Sequence, residues 1–215
     1  MWLILALTAT LASQAVSVPT HRTRWAESDG LSEWVRLLGY GNEKATVSSL
    51  TEGGRRFLRI QPANKFALSM PDVLGMSRSD WPGLAKLPPI LDPERHPGVR
   101  LRIRHNSPFR FFSGYWAHRT SDGKRIGKPN YGGLPCFRGH PVPGDGNWHE
   151  ISLRLSESPF LIRNDPVVLL GLSFSAAEGL ATADDSPSFS EFESAHQSVT
   201  SKHYVDIEFI ELLVK

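Results

Sequence analysis

The residues best suited to chemistry lie near the middle of the 215-residue chain, where alternating arginines are followed by an aromatic run. Sugar recognition needs aromatic faces for the apolar side of a pyranose ring, and planar donors and acceptors for its hydroxyls. Guanidinium groups also bind carboxylate or sulfate bidentately, which suits an acidic polysaccharide. We therefore predict a ligand site made of Arg102, Arg104, Tyr115, Trp116 and His118. The alternative is that the aromatic residues belong to the core and the arginines form a solvated face.

The same residue types would also serve an enzyme. A polysaccharide lyase needs a cation to neutralise the uronate carboxylate and a His or Tyr to move the α-proton. Arg102 or Arg104 with Tyr115 and His118 would supply those groups if they shared a concave face. The chain contains no Gly-x-Ser-x-Gly, P-loop, dinucleotide or His-Glu-x-x-His motif. We therefore expect a non-catalytic binding protein, with a lyase as the alternative and a structural or adhesive protein as a third reading.

Short runs with a period of two must position these side chains. Residues 99–104 alternate three apolar residues with three arginines, and residues 148–155 alternate in the same way. Residues 166–174 are apolar nearly throughout, as expected of a central strand. Residues 204–213 begin by alternating and then slip in phase at 209–210, which predicts a β-bulge.

Frequent Gly-, Asp- and Asn-containing turns separate these runs, and helical periodicity is sparse. Many short strands joined by turns predict an all-β fold, an antiparallel β-sandwich of the jelly-roll type. We expect one domain over residues 16–215, with a long exposed loop at 178–203 before the last strand.

The first 15 residues have the pattern of an export signal. Residues 2–12 are an uncharged apolar run, too short to span a bilayer, and small residues at Ser13 and Ala15 fit a cleavage site. We predict a signal peptide at 1–15 and a secreted protein; a buried N-terminal helix is the alternative. The lone Cys136 excludes an internal disulfide framework, and its apolar neighbours favour burial as a small hydrophobic residue.

Three segments, in this order, resemble the galactose-binding-like jelly-roll modules that serve as carbohydrate-binding modules of secreted polysaccharide-degrading systems. Residues 25–34 are a tryptophan-flanked Asp-Gly segment, residues 144–155 contain Gly-Asn-Trp-His, and residues 205–212 are an alternating Val-Asp-Ile-Glu strand. The resemblance implies the jelly-roll fold and a glycan ligand. Residues 156–166 lack the usual Trp-Gly pair and the 178–203 loop is enlarged, so no particular sugar is implied.

The resemblance also implies a structural calcium ion between the opening segment and the last strand. Calcium takes several oxygen ligands, and the matching candidates are Glu27, Asp29 and Asp206, with Glu208 beside them. Solvent-exposed carboxylates would show the same spacing, so both interpretations stay open.

The formal net charge of +2 conceals a segregation of charge along the chain. Residues 95–128 carry nine Lys or Arg against one Asp, a balance of +8, and residues 178–211 carry eight Asp or Glu against one Lys, a balance of −7. If the two poles lie against each other, the basic strand is neutralised; if they face apart, the basic pole steers anions. The modest total and the export signal favour a glycan partner, with no nucleic acid and no membrane span.

Overall fold

Two antiparallel sheets make up most of the part of the chain that the structure describes. The computed structural model describes residues 24–26, 45–62, 72–75, 90–118, 137–158, 167–175, 178 and 187–215. Within these ranges the chain is all-β, with eleven strands and one α-helix. The strands are β1 (Arg24–Ala26), β2 (Ala45–Glu52), β3 (Arg55–Pro62), β4 (Asp72–Gly75), β5 (Ile90–Leu91), β6 (Gly98–His105), β7 (Phe111–His118), β8 (His140–Pro141), β9 (His149–Arg154), β10 (Val167–Ser175) and β11 (Val205–Leu212).

The strands pair in a nested order. The first sheet runs β2-β3-β11-β6-β9, with β1 also paired to β11, and the second sheet runs β4-β10-β7-β8, with β5 also paired to β10. Thus β3 pairs with β11, β4 with β10, β6 with β9 and β7 with β8. Early strands therefore meet late ones, and most contacts of the fold join distant parts of the sequence.

Both sheets turn apolar side chains towards one core, as the alternation predicts. Val99, Leu101 and Ile103 of β6 are buried, while the arginines between them keep part of their surface. The second sheet contributes Phe112 of β7 and Phe174 of β10 to the same cluster. Each large side chain removed from water in this way stabilises the fold by about 1.5–3 kcal/mol.

The last strand carries the predicted irregularity. The register of β11 on β6 shifts between Ile207 and Phe209, close to the phase slip in the sequence. Because a bulge inserts one extra residue, Ile207 and Ile210 both face the core although they are three positions apart. The prediction of a bulge is confirmed, with the shift beginning slightly earlier in the strand.

A helix replaces part of the expected loop. Residues Pro187–Gln197 form α1, which begins on proline, a residue favoured in the first turn. Phe192 and Ala195 lie three positions apart, hence on one helical face, and pack against the core. The rest of the helix is rich in Ser and Glu. Its sequence therefore shows only a weak helical periodicity of apolar residues, which a loop could show equally well. The interpretation of 178–203 as a loop is therefore wrong over 187–197.

Several predictions concern residues outside the described ranges. These are the signal peptide at 1–15, Cys136, and the candidate calcium ligands Glu27 and Asp29. No helix in the described part of the chain is long and apolar enough to cross a membrane.

Candidate ligand-binding cleft and the charged face

The arginines of β6 and the carboxylates of β11 form one ladder on the outer surface of the first sheet. Arg100 stands opposite Glu211 in the β6–β11 register, with Nη2 of the arginine 2.7 Å from Oε2 of the glutamate. Nε of Arg102 lies 3.1 Å from Oε2 of Glu208, as an ion pair without hydrogen-bond geometry. We call this ladder, with the neighbouring charges of β2, β3 and β9, the charged face. It consists of Glu52, Arg59, Arg100, Arg102, Arg104, Glu150, Asp206, Glu208 and Glu211. Two further arginines, Arg24 of β1 and Arg55 of β3, also pair with Glu211 and Glu208.

Asp206 is the buried centre of the charged face. Its side chain has no exposed surface, and its Oδ1 accepts a hydrogen bond from Nε of Arg59 at 2.7 Å. Its Oδ2 accepts from Nη2 of Arg59 at 2.8 Å and from Nε of Arg104 at 2.7 Å. Arg104 also pairs with Glu52, so two guanidinium groups face two carboxylates. The cluster joins β2, β3, β6 and β11 and carries no net charge.

The same contacts set the protonation of the two arginines. The hydrogen bond to Asp206 raises the pKa of Arg59 above its usual value. Burial lowers the pKa of Arg104, but its hydrogen bonds to Asp206 and Glu52 outweigh burial, and the net direction is upward. Both guanidinium groups therefore stay charged at neutral pH.

Aromatic rings cover the flat sides of these guanidinium groups. The Cζ of Arg104 lies 4.6 Å from the ring centroid of Trp148 and 4.9 Å from that of Phe57. The Cζ of Arg59 lies 4.0 Å from the ring centroid of Tyr204. These cation–π contacts occupy the surfaces on which a ligand would stack. The acidic and basic poles of the sequence thus lie against each other here, and the basic strand is neutralised.

The predicted ligand residues lie on strands of two different sheets. Arg102 and Arg104 lie on β6 of the first sheet, whereas Tyr115, Trp116 and His118 lie on β7 of the second. Trp116 has no exposed surface and belongs to the core, in agreement with the alternative interpretation of the aromatic run. A ligand that met both arginines would lie on the outside of one sheet, away from the strand that carries the other three residues.

Asp206 is also engaged in a way that bears on the calcium prediction. Both of its carboxylate oxygens accept hydrogen bonds from guanidinium groups, so a cation would have to displace an arginine. Among the described residues, no group of three or more His, Cys, Asp or Glu side chains is arranged to hold a metal ion. Calcium at Glu27, Asp29 and Asp206 stays a prediction, since the first two lie outside the described ranges.

A cleft of about 300 Å³ opens where α1 lies beside the start of β7. Phe109 forms its apolar base, stacked on Phe174 with ring centroids 4.6 Å apart and meeting Phe192 of α1 at 5.2 Å. Phe109 is buried, but Phe111 and Phe192 keep part of their surface open to the solvent. We call this site the cleft and define it by Phe109, Arg110, Phe111, Ser190, Glu191 and Phe192.

A weak ion pair joins the two sides of the cleft. Nη1 of Arg110, just before β7, lies 3.4 Å from Oε2 of Glu191 on α1. The two side chains are 74% and 64% exposed, and pairs of this kind contribute roughly 0–1 kcal/mol. Little free energy is therefore lost when a ligand replaces this ion pair. The hydroxyl of Ser190 also lines the cleft. A donor, an acceptor and apolar rings thus share one small cleft.

A buried histidine fixes the connection that carries this cleft. The ring of His105 donates from Nε2 to the carbonyl oxygen of Val142 at 2.9 Å, and its Nδ1 accepts from the hydroxyl of Ser107 at 2.9 Å. The ring also meets Phe174 edge-on, with centroids 5.0 Å apart. Burial lowers the pKa of His105, so the ring is neutral, with the proton on Nε2 because a carbonyl only accepts. Since Ser107 and His105 are both buried, this serine–histidine pair positions the connection and is not a nucleophile for an external substrate.

The sequence did not single out Arg110, Glu191 or Phe192. One signal was present: Phe189 and Phe192 are spaced three apart in an otherwise polar segment, which indicates one buried face of a helix. Which connection that face would meet depends on the long-range pairing of the sheets.

Comparisons with models of known protein families, with curated proteins and with solved structures found no match to this chain.

Proposed function

We propose that this protein is a secreted, non-catalytic carbohydrate-binding protein whose glycan occupies the cleft. The observation that carries the proposal is the composition of the cleft, in which the partly exposed rings of Phe111 and Phe192 lie beside the Arg110–Glu191 pair. A pyranose ring has an apolar face and a rim of hydroxyls, and it needs these two kinds of surface together. A volume of about 300 Å³ lies at the small end of ligand sites and suits one or two sugar units.

The strand pairing supports the jelly-roll form of the sandwich. A jelly roll has eight strands in two sheets, built from two Greek keys. Eight of the strands pair in this nested order: β3 with β11, β4 with β10, β6 with β9 and β7 with β8. Each sheet contains four of these strands. Nested pairing of this kind is what a long antiparallel hairpin gives when it is rolled into two sheets. The fold alone assigns no activity, but it places the cleft at a connection between strands, where binding sites commonly lie.

The charged face supports neither an acidic polysaccharide nor a lyase. Each arginine of β6 is paired with a carboxylate of β11, so none of the three is free to bind a uronate. A lyase would need an arginine beside Tyr115 or His118, and those residues lie on a strand of the other sheet. We therefore assign the charged face to stability and the cleft to binding.

Affinity gel electrophoresis and a glycan array with the purified chain test the proposal. We expect retention by at least one glycan, and a loss of affinity of about tenfold in Phe111→Ala, since an aromatic contact is worth about 1 kcal/mol or more. Arg100→Gln, on the charged face, is the matched control and should leave the affinity unchanged. Retention by no neutral or anionic glycan would contradict the proposal, as would an equal loss in Phe111→Ala and Arg100→Gln.

A further inference from the structure

We infer that the ligand of the cleft is a neutral sugar that presents two adjacent hydroxyls, one to Arg110 and one to Glu191, and that acidic sugars are rejected. This inference rests on the proposed function and names its substrate class.

The hydrogen-bonding roles of the two side chains favour hydroxyls. A guanidinium group only donates and an ionised carboxylate only accepts, whereas a sugar hydroxyl does both. Nη1 of Arg110 and Oε2 of Glu191 are 3.4 Å apart, so two adjacent hydroxyls of one ring can meet both groups at once. The first hydroxyl accepts from Arg110 and the second donates to Glu191, and neither charged group is left without a partner.

The charge of the cleft argues against an acidic sugar. A uronate or sulfate group that approached Arg110 would come close to the carboxylate of Glu191, and like charges in a binding site oppose association. A neutral ring avoids this repulsion and gives up only the solvent-exposed ion pair, which belongs to the weakest class of such contacts. The Arg110–Glu191 pair therefore selects against the ligands that arginine alone would attract.

Two variants separate this inference from its alternatives. Wild type, Glu191→Gln and Arg110→Gln are assayed against neutral polymers (dextran, mannan and a β-glucan) and against polygalacturonate and alginate. We expect wild type to retain a neutral polymer, with an affinity that changes less than about twofold between about 50 and about 500 mM NaCl. Glu191→Gln should weaken neutral binding by about tenfold and strengthen uronate binding, since the charged acceptor and the repulsion are both removed. Arg110→Gln should weaken neutral binding without any gain for uronates.

Each outcome has a separate meaning. Tighter binding of uronate polymers than of neutral ones by wild type, weakened by salt, would overturn the neutral-sugar inference and leave carbohydrate binding standing. Unchanged selectivity in Glu191→Gln would overturn it as well. Retention of no polymer at all would contradict the proposed function itself. Both residues are largely exposed, so the variants should unfold at the wild-type urea midpoint, and Glu150→Gln on the charged face is the matched control.

Discussion

Replacing Asp206 with asparagine would remove the charge that holds the centre of the first sheet. The carboxylate is fully buried and accepts three charge-assisted hydrogen bonds of 2.7–2.8 Å from Arg59 and Arg104. Removing one partner of a buried ion pair costs roughly 3–5 kcal/mol, because the remaining charges stay desolvated. The side chains of Arg59 and Arg104 are 23% and 11% exposed, and Arg104 keeps Glu52, so the lower end applies. We expect the free energy of unfolding to fall by about 3 kcal/mol in Asp206→Asn.

Urea unfolding followed by circular dichroism, together with thermal unfolding, measures this loss. For a chain of about 200 residues, about 3 kcal/mol corresponds to a fall in Tm of roughly 6–12 °C. Glu211→Gln is the control: it breaks the pairs with Arg100 and Arg24, whose side chains are 43% and 48% exposed, and should cost less than about 1 kcal/mol. If Asp206→Asn cost no more than Glu211→Gln, the claim that a buried ionic cluster stabilises the sheet would be refuted.

Three further predictions concern His105 and the β8–β9 connection that contacts it. Burial lowers the pKa of His105 below the 6.5 of an unfolded histidine, so the free energy of unfolding should fall as the pH drops below about 6.5. His105→Gln should flatten this pH dependence in urea unfolding at pH 7, 6 and 5. An unchanged pH dependence in the variant would contradict the prediction. A Cβ on residue 144 would lie 2.2 Å from the carbonyl oxygen of Ser107. Gly144→Ala should therefore lower the free energy of unfolding by about 1–3 kcal/mol and weaken glycan binding. An unaltered urea midpoint would exclude the clash. Hydrogen bonds from His149 and from Asn147 hold the pKa of Asp145 well below its usual value. Wild type should therefore lose stability as the pH falls below about 4, and Asp145→Asn should lose less over the same range. An equal loss in both proteins would count against these hydrogen bonds.

Local pattern was sufficient to find the strands of the core. Alternation at 99–104 and 148–155 predicted which side chains of β6 and β9 are buried, and the phase slip at 209–210 indicated the bulge in β11. These signals are local because a strand shows its two faces in its own sequence. Helix α1 was not predicted because, among its described side chains, Phe192 and Ala195 alone pack against the core and the others are mostly polar.

The pairing of distant strands could not be predicted from local sequence patterns. Arg104 and Asp206 both stand at polar positions of alternating runs, but 102 positions separate them, and only the β6–β11 pairing makes one the partner of the other. The arginines of β6 are spaced by two residues, and the carboxylates of β11 by two and then, across the bulge, by three; this similar spacing of opposite charges was a signal that the two strands are neighbours. The cleft depends on the same long-range order, since it needs α1 to lie beside the connection that carries Arg110.

Nuclear magnetic resonance mapping of the retained glycan onto the protein tests the central claim most directly. With isotope-labelled protein and increasing amounts of glycan, we predict that backbone amide signals of residues 109–111 and 190–195 shift, while those of 100–104 and 206–211 stay in place. Shifts concentrated in 100–104 and 206–211 would show that the charged face binds the sugar and would contradict the assignment of binding to the cleft.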